Sequence, residues 1–331
     1  MTQPISNLNL NAKVKFGKYQ GSQIVWRIAN KNHPGYPSNS ITLVSDVILC
    51  EKAFDAKEPS NSNSDRKSYG NNRYRYSNIR QWLNKSGHPW YAAQHSADAP
   101  PNSSGVSTNP YDTEQGFLTE FTDDELNAIL DTSLQVVIPD VDGGGIETVT
   151  DKIFLLSRTE VGLGDESSGK PEGSQLPIFT NDASRIAQFN GSNDYWWLRT
   201  PHAGNADRVR NVSSGGSLNN GDAYGGYSGV RPALNLKSDI LVSDSPDYDG
   251  AYTIIWATLH RITLDKPITI NAGEQLTKVH LEAKQADTAL QLKEIDAEKY
   301  IYEGKDLNTN IADIEVDGED TTLDKIAYTI S

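Results

Sequence analysis

The sequence has little cysteine and no long apolar segment, and each shortage excludes a class of protein. Its 331 residues include one cysteine, Cys50, which excludes internal disulfides, cysteine-based metal clusters and dithiol chemistry. No apolar run approaches the ~20 residues that span a bilayer, so we expect no membrane span. The N-terminus lacks a charged start followed by an apolar region, so we expect no secretion signal. Cys50 ends the apolar run ITLVSDVILC, which favours a buried structural thiol, with a reactive thiol as the alternative.

Basic residues are also scarce, and the charge is unevenly distributed. Lys and Arg number 30 against 44 Asp and Glu, a formal net charge of −14. Residues 239–331 carry 19 acidic and 8 basic side chains, whereas residues 1–238 are close to balanced. This composition indicates that nucleic acid is not a partner. The shift in composition, with the Asp-, Ser- and Pro-rich segment 239–249, predicts a linker between a domain at 1–238 and an acidic domain at 250–331.

The sequence also lacks the usual catalytic and metal-binding signatures. It contains no G-x-S-x-G, P-loop or G-x-G-x-x-G motif, and none of its six histidines forms an i, i+4 pair. We therefore predict no catalytic residues, no metal ligands and no cofactor. Calcium is an open alternative at PDVDGGG, with Asp140 and Asp142, and at DSPDYDG, with Asp244, Asp247 and Asp249. Neither segment completes an EF-hand pattern, and Asp-Gly pairs are also ordinary turn chemistry.

What is present indicates a folded protein that is rich in sheet and loops. Aromatic residues are too numerous for a disordered chain, with 15 Tyr, 6 Trp and 7 Phe. Capping residues and apolar spacing predict short helices at SNIRQWLN, TEFTDDELNAIL and NDASRIAQF, and residues 57–76 have no periodicity and are predicted as a long loop. Residues 13–28 predict a β-hairpin that turns at Gly21. Beyond residue 250, short alternating runs predict a small all-β domain.

The segment at 195–236 places a polar insert, residues 202–229, between two apolar ends. Of its 28 residues, 15 are Gly, Asn or Ser, a composition that any long exposed loop could have. Small or apolar anchors recur within it, namely Ala203, Ala206, Val209, Val212, Leu218 and Ala223. The flanking scaffold residues are Trp196, Trp197, Leu198, Arg199, Val230, Arg231 and Pro232. We expect one of the two tryptophans and Leu198 to be buried, and both arginines to form structural ion pairs or cap strand ends.

The motifs YWWLRTP and GVRPALNL, preceded by VKFGKY, IVWRI, SNIRQWLN and KIFLLSRTEVG, carry a resemblance over about residues 10–240. The chain resembles a family of C-type-lectin-like domains found in bacterial and phage proteins, related in architecture to formylglycine-generating enzymes. The family includes variable proteins of diversity-generating retroelements and phage host-binding proteins. The resemblance implies an α+β fold, with short helices around small twisted antiparallel sheets. Formylglycine-generating enzymes use a cysteine pair with copper, which a single cysteine excludes.

The retroelement resemblance implies that the insert varies at exposed positions where adenines of Asn codons are replaced. Such replacement cannot produce Lys or Glu, and both are absent from 202–229. The variable, ligand-binding candidates are His202, Gly204, Asn205, Asp207, Arg208, Arg210, Ser213, Gly215, Ser217, Asn220, Gly221, Asp222, Tyr224, Gly225 and Tyr227. Tyr supplies large contact area at low entropic cost, and Ser, Gly and Asn supply adaptable hydrogen bonds.

The function implied by these observations is binding without catalysis. We expect a phage tail or tail-fibre receptor-binding protein, carried on the virion, that contacts a bacterial surface protein or glycan through the insert. The acidic domain would attach it to other virion proteins. The alternatives are a static structural module of a tail and a cell-wall glycan hydrolase, which would need two carboxylates facing each other about 5–9.5 Å apart.

Overall fold

The computed structural model describes residues 2–256 in full and, beyond them, the backbone of strands at 259–270, 276–283, 293–296, 309–317 and 323–330. The chain divides into two compact units, Met1–Ile255 and Trp256–Ser331. In the described residues, no helix is long and apolar enough to cross a membrane.

The helices of the first unit are few and short. They are α1 (Ser64–Tyr69), α2 (Asn78–Leu83), α3 (Asp123–Ala128) and α4 (Asp182–Arg185). The helices predicted at SNIRQWLN and TEFTDDELNAIL are present as α2 and α3, and α3 begins with a Thr122–Glu125 capping box. The helix predicted at NDASRIAQF was wrong in part, because α4 ends at Arg185 and Ala187–Phe189 form a strand. The predicted loop at 57–76 was wrong in part, because α1 lies within it. The Asn63 side chain caps α1 by accepting from the amides of Asp65 and Arg66, a local bond that a search for apolar periodicity does not detect.

The strands are, in chain order, β1 (Thr2–Pro4), β2 (Lys13–Tyr19), β3 (Ser22–Lys31), β4 (Ser40–Ser45), β5 (Cys50–Glu51), β6 (Thr132–Val137), β7 (Ile146–Asp151), β8 (Ile153–Leu155), β9 (Ala187–Phe189), β10 (Ser192–Asp194), β11 (Trp196–Pro201), β12 (Arg208–Val212), β13 (Leu218–Asp222), β14 (Gly229–Val230), β15 (Pro232–Lys237), β16 (Leu241–Ser243), β17 (Ala251–Ile255), β18 (Leu259–Ile270), β19 (Leu276–Ala283), β20 (Lys293–Asp296), β21 (Thr309–Asp317) and β22 (Leu323–Ile330). Sheet therefore dominates and helices are few, an α+β arrangement.

An eight-stranded sheet forms the frame of the first unit, in the order β1-β16-β17-β2-β3-β4-β15-β8. The predicted hairpin is its β2–β3 pair, which turns at Gly21 as expected. All six residues of β4 are buried, so the centre of the sheet is covered on both faces. The second sheet has the order β13-β12-β11-β14-β5, and β5 links it to the frame through the segment that follows β4.

The boundary between the units lies later in the chain than the composition indicated. The expected linker, 239–249, contains β16, and the expected second domain begins with β17, yet both strands join the first unit's sheet. β17 also pairs in parallel with β2. Val242, Ala251 and Ile254 are buried there, so short apolar runs between the turn residues complete the frame.

The described part of the second unit consists of strands. β18 pairs with β21, and β19 lies between β20 and β22, all antiparallel. The expected strand at KYIYEG lies outside the described residues.

Candidate ligand-binding surface

The N-terminal end of the insert is fixed in the core by β11. All six residues of β11 are buried, including Leu198, as expected, and both Trp196 and Trp197, where the sequence predicted one or the other. The reason is that the two rings enter different environments, each with a hydrogen-bond acceptor for its indole N–H. Trp196 donates to the carbonyl of Arg185 at 3.0 Å, and Trp197 donates to the carbonyl of Lys52 at 2.8 Å.

Arg199 forms the ion pair that the sequence predicted. Its guanidinium binds both carboxylate oxygens of Glu160 at 2.7 Å, and both side chains are completely buried. It also donates to the carbonyls of Leu155 and Glu172, which leaves few of its donors unsatisfied. Glu160 belongs to the motif KIFLLSRTEVG, so two of the sequence motifs meet as a single buried ion pair.

Arg231, at the other end, takes the second of the two expected roles and caps the end of a strand. It donates to the carbonyl of Ser45, the last residue of β4, at 3.1 Å, and within the part of the chain that the structure describes no ion pair of Arg231 is present. Its guanidinium lies over the rings of Trp196 and Phe179, at 5.0 and 5.7 Å from their centroids. Burial lowers the pKa of Arg231 to about 9, and the side chain therefore remains a cation at neutral pH. Val230 and Pro232 beside it are buried, as expected of the scaffold.

The insert itself is more regular than its composition indicated, because it contains the β12–β13 hairpin. β12 pairs with β11 on one side and with β13 on the other. The register pairs Arg208 with Asp222 and Arg210 with Asn220. Since side chains alternate along a strand, these four lie on the outward face, and Val209 lies on the inward face.

The structure places the variable candidates at three levels of exposure. The exposed ones are Gly204, Arg208, Gly215, Ser217 and Tyr227. The half-buried ones are His202, Asn205, Arg210, Asn220, Gly221, Asp222 and Tyr224. Asp207, Ser213 and Gly225 are buried, against the expectation that all fifteen are exposed. Among the anchors, Ala206, Val209, Val212 and Ala223 are buried, whereas Ala203 and Leu218 are half-buried.

The buried candidates have structural roles. The Ser213 hydroxyl lies 2.8 Å from that of Ser217 and accepts the Ser217 amide, which closes the β12–β13 turn. The carbonyl of Asp207 accepts the amide of Ala223 at the open end of the hairpin. A Cβ at Gly225 would lie 2.8 Å from the ring of Tyr227. These contacts arise from the pairing of the two strands, which the Gly, Asn and Ser content did not predict.

Two further candidates are constrained although they are partly exposed. Arg210 binds both carboxylate oxygens of Glu166, at 2.7 and 2.8 Å. Burial alone would raise the pKa of Glu166, but hydrogen bonds from Arg210, the Ala203 amide and Arg158 hold it below its usual value. Gly221 lies on the inward face, where a Cβ would come within 3.1 Å of the Trp197 ring. Arg210 and Gly221 therefore belong to the frame.

Side chains from outside the insert secure its first loop, and sequence analysis missed them. The Asn72 amide nitrogen donates to the carbonyls of Asn205 and Arg208 at 2.9 Å and to that of His202 at 3.3 Å. Arg66 donates to the carbonyl of Ala206 at 3.1 Å. Both come from the segment predicted as a loop, and nothing in its spacing indicates contact with residues more than 130 positions away.

The loop between β13 and β14 carries two tyrosines that lie near polar and aromatic side chains. Tyr227 is 50% exposed, and a shift of its pKa above the usual value comes first from partial burial and then from Asp222 and Tyr224 nearby. Tyr224 packs against Tyr69 of α1, with ring centroids 5.7 Å apart. The Lys57 ammonium lies 4.9 Å from the centroid of the Tyr224 ring. The surface therefore combines rigid tyrosines with exposed charges.

Three of the five carboxylates proposed for calcium, those of Asp142, Asp247 and Asp249, form ion pairs with basic side chains. Asp142 receives two hydrogen bonds from Arg66, at 2.9 and 2.6 Å. Lys15 binds Asp247 at 2.5 Å and Asp249 at 3.0 Å. In the described residues, no group of three His, Cys, Asp or Glu side chains is arranged to hold a metal ion. Cys50, expected to be buried, is half-buried at the start of β5, and burial of its thiol raises its pKa to about 11, so the thiol is protonated at neutral pH.

Together, the fold and this surface define an α+β domain, with one eight-stranded and one five-stranded sheet and two further strand pairs, that carries a polar hairpin on a buried frame. The chain belongs to the family described as Domain of unknown function (DUF6273), whose profile matches residues 38–238. The match includes both ends of the insert and the Glu160 motif. No curated protein and no solved structure gives a significant match to the chain.

Proposed function

We propose that this protein is a non-enzymatic binding protein, carried on a phage tail, which contacts a bacterial surface protein or glycan through the outward side of the insert. The first unit adopts a C-type-lectin-like fold in this proposal, and the second attaches it to other virion proteins. The separation of the hairpin into two faces is the observation that carries the proposal. The inward face packs on Trp197 and the core, while Arg208, Asn220 and Asp222 lie on the other.

The topology of the first unit supports the C-type-lectin-like fold. Strands from its beginning and end lie side by side in one sheet, with β17 beside β2 and β16 beside β1. A second sheet carries the hairpin, and a long irregular segment, residues 84–116, lies in the chain between β5 and β11. Loops and hairpins on such a rigid frame are common sites of binding.

The burial pattern limits the positions of the insert at which we expect diversification to change the residue. Substitution at Arg208, Asn220, Asp222 or Tyr227 would change exposed chemistry and leave the core contacts intact. Gly221 approaches the Trp197 ring, the Ser213 hydroxyl closes the hairpin and the Asp207 side chain is buried, so we expect these three positions to be constant.

The test is to sequence the locus from many sibling isolates and to search beside it for a reverse transcriptase gene and a near-copy of the segment that encodes residues 195–236. We expect differences confined to adenines of the copy and concentrated at the outward positions. An invariant insert with no template copy would overturn diversification and favour a static structural module.

A further inference from the structure

Three carboxyl groups, those of Asp55, Glu58 and Asp98, form a cluster outside the insert, which we call the carboxyl cluster. Asp55 and Glu58 are completely or almost completely buried, and Asp98 is half-buried. Among the described residues, no lysine or arginine forms an ion pair with any of the three. Burial, and then repulsion by Glu58 and Asp98, raises the pKa of Asp55 well above its usual value. The cluster therefore concentrates negative charge that no basic side chain compensates.

The two buried members of the cluster bind one residue, Asn71, and one of them also contacts the insert. The Asn71 amide donates to the Asp55 carboxylate at 3.1 Å, and the Asn71 side chain donates to the Glu58 carboxylate at 3.1 Å. The Asp55 amide donates to the carbonyl of Ala223 in the insert at 3.0 Å. The carboxyl cluster thus fixes Asn71 beside the insert.

The segment around Asn71 holds both parts of the insert. Asn72 binds the first loop through its three hydrogen bonds to backbone carbonyls. The carbonyl of Tyr69 accepts the amide of Tyr224, in the C-terminal part of the insert, at 2.8 Å. A change in how firmly the carboxyl cluster holds Asn71 therefore acts on the insert at two places.

His95 connects this cluster to solvent. Its Nε2 lies 2.9 Å from the carboxylate of Glu58, and its side chain is 24% exposed, whereas that of Glu58 is fully buried. The Ala97 amide donates to Nδ1 of His95 at 3.2 Å, so the neutral ring carries its proton on Nε2 and donates it to Glu58. The pKa of Asp98 is raised by burial and lowered in part by His95, which places the ring near a second carboxyl group.

Protonation of His95 would change the charge of its surroundings. The other titratable or charged side chains that lie near the ring or the carboxyl cluster are Tyr76, Tyr91, Tyr111 and Arg73. Phenols are uncharged at neutral pH, and Arg73 already binds Glu147 through two hydrogen bonds of 3.1 Å. A proton on Nδ1 would displace the Ala97 amide, whose hydrogen bond is long, and would convert the contact with Glu58 into an ion pair.

We propose that His95 is a pH-sensitive control of the binding surface, which holds the insert more rigidly when it is protonated than when it is neutral. The inference rests on the proposed function and specifies how the same surface is regulated. Histidine is the side chain that most readily changes its charge between about pH 5 and pH 8. A surface that is rigid before contact loses less entropy on binding, so affinity should rise as the medium becomes more acidic.

The first measurement follows amide hydrogen exchange of the full chain and needs no ligand. Protection factors, corrected for the intrinsic exchange rate, are compared at about pH 5.5 and pH 7.5 over residues 202–208 and 223–229. The variants are His95→Gln, which stays neutral, and Glu58→Gln, which removes the negative partner. His88→Gln is the matched control, because His88 is exposed in the same segment and its ring contacts a backbone carbonyl. Thermal unfolding at both pH values checks that each variant is folded.

We expect protection of both ranges to be about fivefold higher at the acidic pH in the wild type and in His88→Gln, since a charged hydrogen bond is stronger than a neutral one. His95→Gln and Glu58→Gln should lose this difference, and His95→Gln alone decides if Glu58→Gln does not fold. Equal protection of the wild type at both pH values would overturn the proposal. A difference that persists in His95→Gln would overturn it as well, because other groups would then be responsible.

The second measurement is binding of the fluorescently labelled full chain to intact cells from a panel of bacterial isolates at the same two pH values. We expect an affinity about fivefold higher at the acidic pH for the wild type and His88→Gln, and no difference for His95→Gln. Equal binding of the wild type at both pH values would refute the regulation and leave the proposed function standing. Absence of binding to every isolate at both pH values would instead refute the proposed function, and this regulation with it.

Discussion

At the scale of residues, buried charges at the N-terminal end of the insert are compensated individually. Arg199 has a bidentate partner in Glu160, and Glu172 accepts the amide of Val137 at 2.9 Å and binds the hydroxyl of Thr200. A buried ion pair adds little net stability by itself, but removing one partner leaves an uncompensated charge. The effect of each of these residues on stability is therefore measured by replacing one member of a pair and leaving the other in place.

Replacement of Glu160 by Gln should lower the free energy of unfolding by about 3–5 kcal/mol, because Arg199 would remain as a buried cation without its carboxylate. Urea denaturation of the full chain measures this. Asp249→Asn is the control, since its ion pair with Lys15 is exposed and should contribute nothing measurable. Equal effects of the two substitutions would show that the Arg199–Glu160 pair is not stabilising the frame.

The second prediction concerns the dependence of stability on pH. Burial raises the pKa of Glu172 to about 7, above its ordinary value of 4.5. A carboxyl with a raised pKa binds its proton more tightly in the folded state, so its contribution is complete below pH 4.5 and is lost as the pH rises through 7. The difference in unfolding free energy between wild type and Glu172→Gln should therefore change between pH 5 and pH 7.5, in the direction that weakens the wild type. A pH-independent difference would contradict the raised pKa.

The third prediction concerns Gly221, where the absence of a side chain leaves room for the Trp197 ring. A valine at this position would press on the Trp197 ring, and overpacking of this kind costs about 1–3 kcal/mol. Denaturation of Gly221→Val measures the loss. Gly215→Val is the control, because a Cβ there would meet only the Ser213 hydroxyl at 3.9 Å. Unchanged stability of Gly221→Val would return position 221 to the variable set.

At the scale of elements, the insert is a hairpin whose first loop depends on Asn72. Three carbonyls share its amide nitrogen, and truncation would remove this donor from all of them. Those of His202 and Arg208 would keep a backbone amide, whereas the carbonyl of Asn205 would lose the donor that Asn72 supplies. We expect Asn72→Ala to accelerate amide hydrogen exchange by at least about tenfold across 202–208, since unsatisfied buried groups cost about 1–3 kcal/mol. Asn220→Ala, on the outward face, should leave this exchange unchanged. Uniform acceleration over the whole first unit would instead indicate global destabilisation.

At the scale of the whole molecule, the sheet of the first unit extends past the family match. The match ends at residue 238, whereas β16 and β17 continue the sheet to Ile255 and cover the edge of β2. A fragment of residues 1–255 should therefore unfold cooperatively as a monomer. A fragment of residues 1–238 should be less stable and more prone to aggregate, because the edge of β2 is uncovered. Thermal circular dichroism and size-exclusion chromatography compare them, and equal behaviour would place the boundary at 238.

Sequence analysis predicted the elements whose signals are local. Ser77 and Thr122 cap helices through side-chain bonds to the next turn, and β2 and β3 alternate around Gly21, so short-range spacing is enough to find them. The ion pair of Arg199 was also expected, although its partner was not, because Glu160 lies 39 residues away.

The sequence by itself determined that the chain folds, that sheet predominates and that a polar segment lies between two apolar ends. Only the tertiary structure decided which residues of that segment are exposed. The pairing of β12 with β13 separates Arg208 from Val209 and puts Gly221 over Trp197, and this register depends on the whole sheet. The same applies to Asn72, Arg66 and Tyr69, which reach the insert across more than 130 positions. Contacts between distant segments follow from how the sheets pack, and residue spacing along the chain carries no record of that packing.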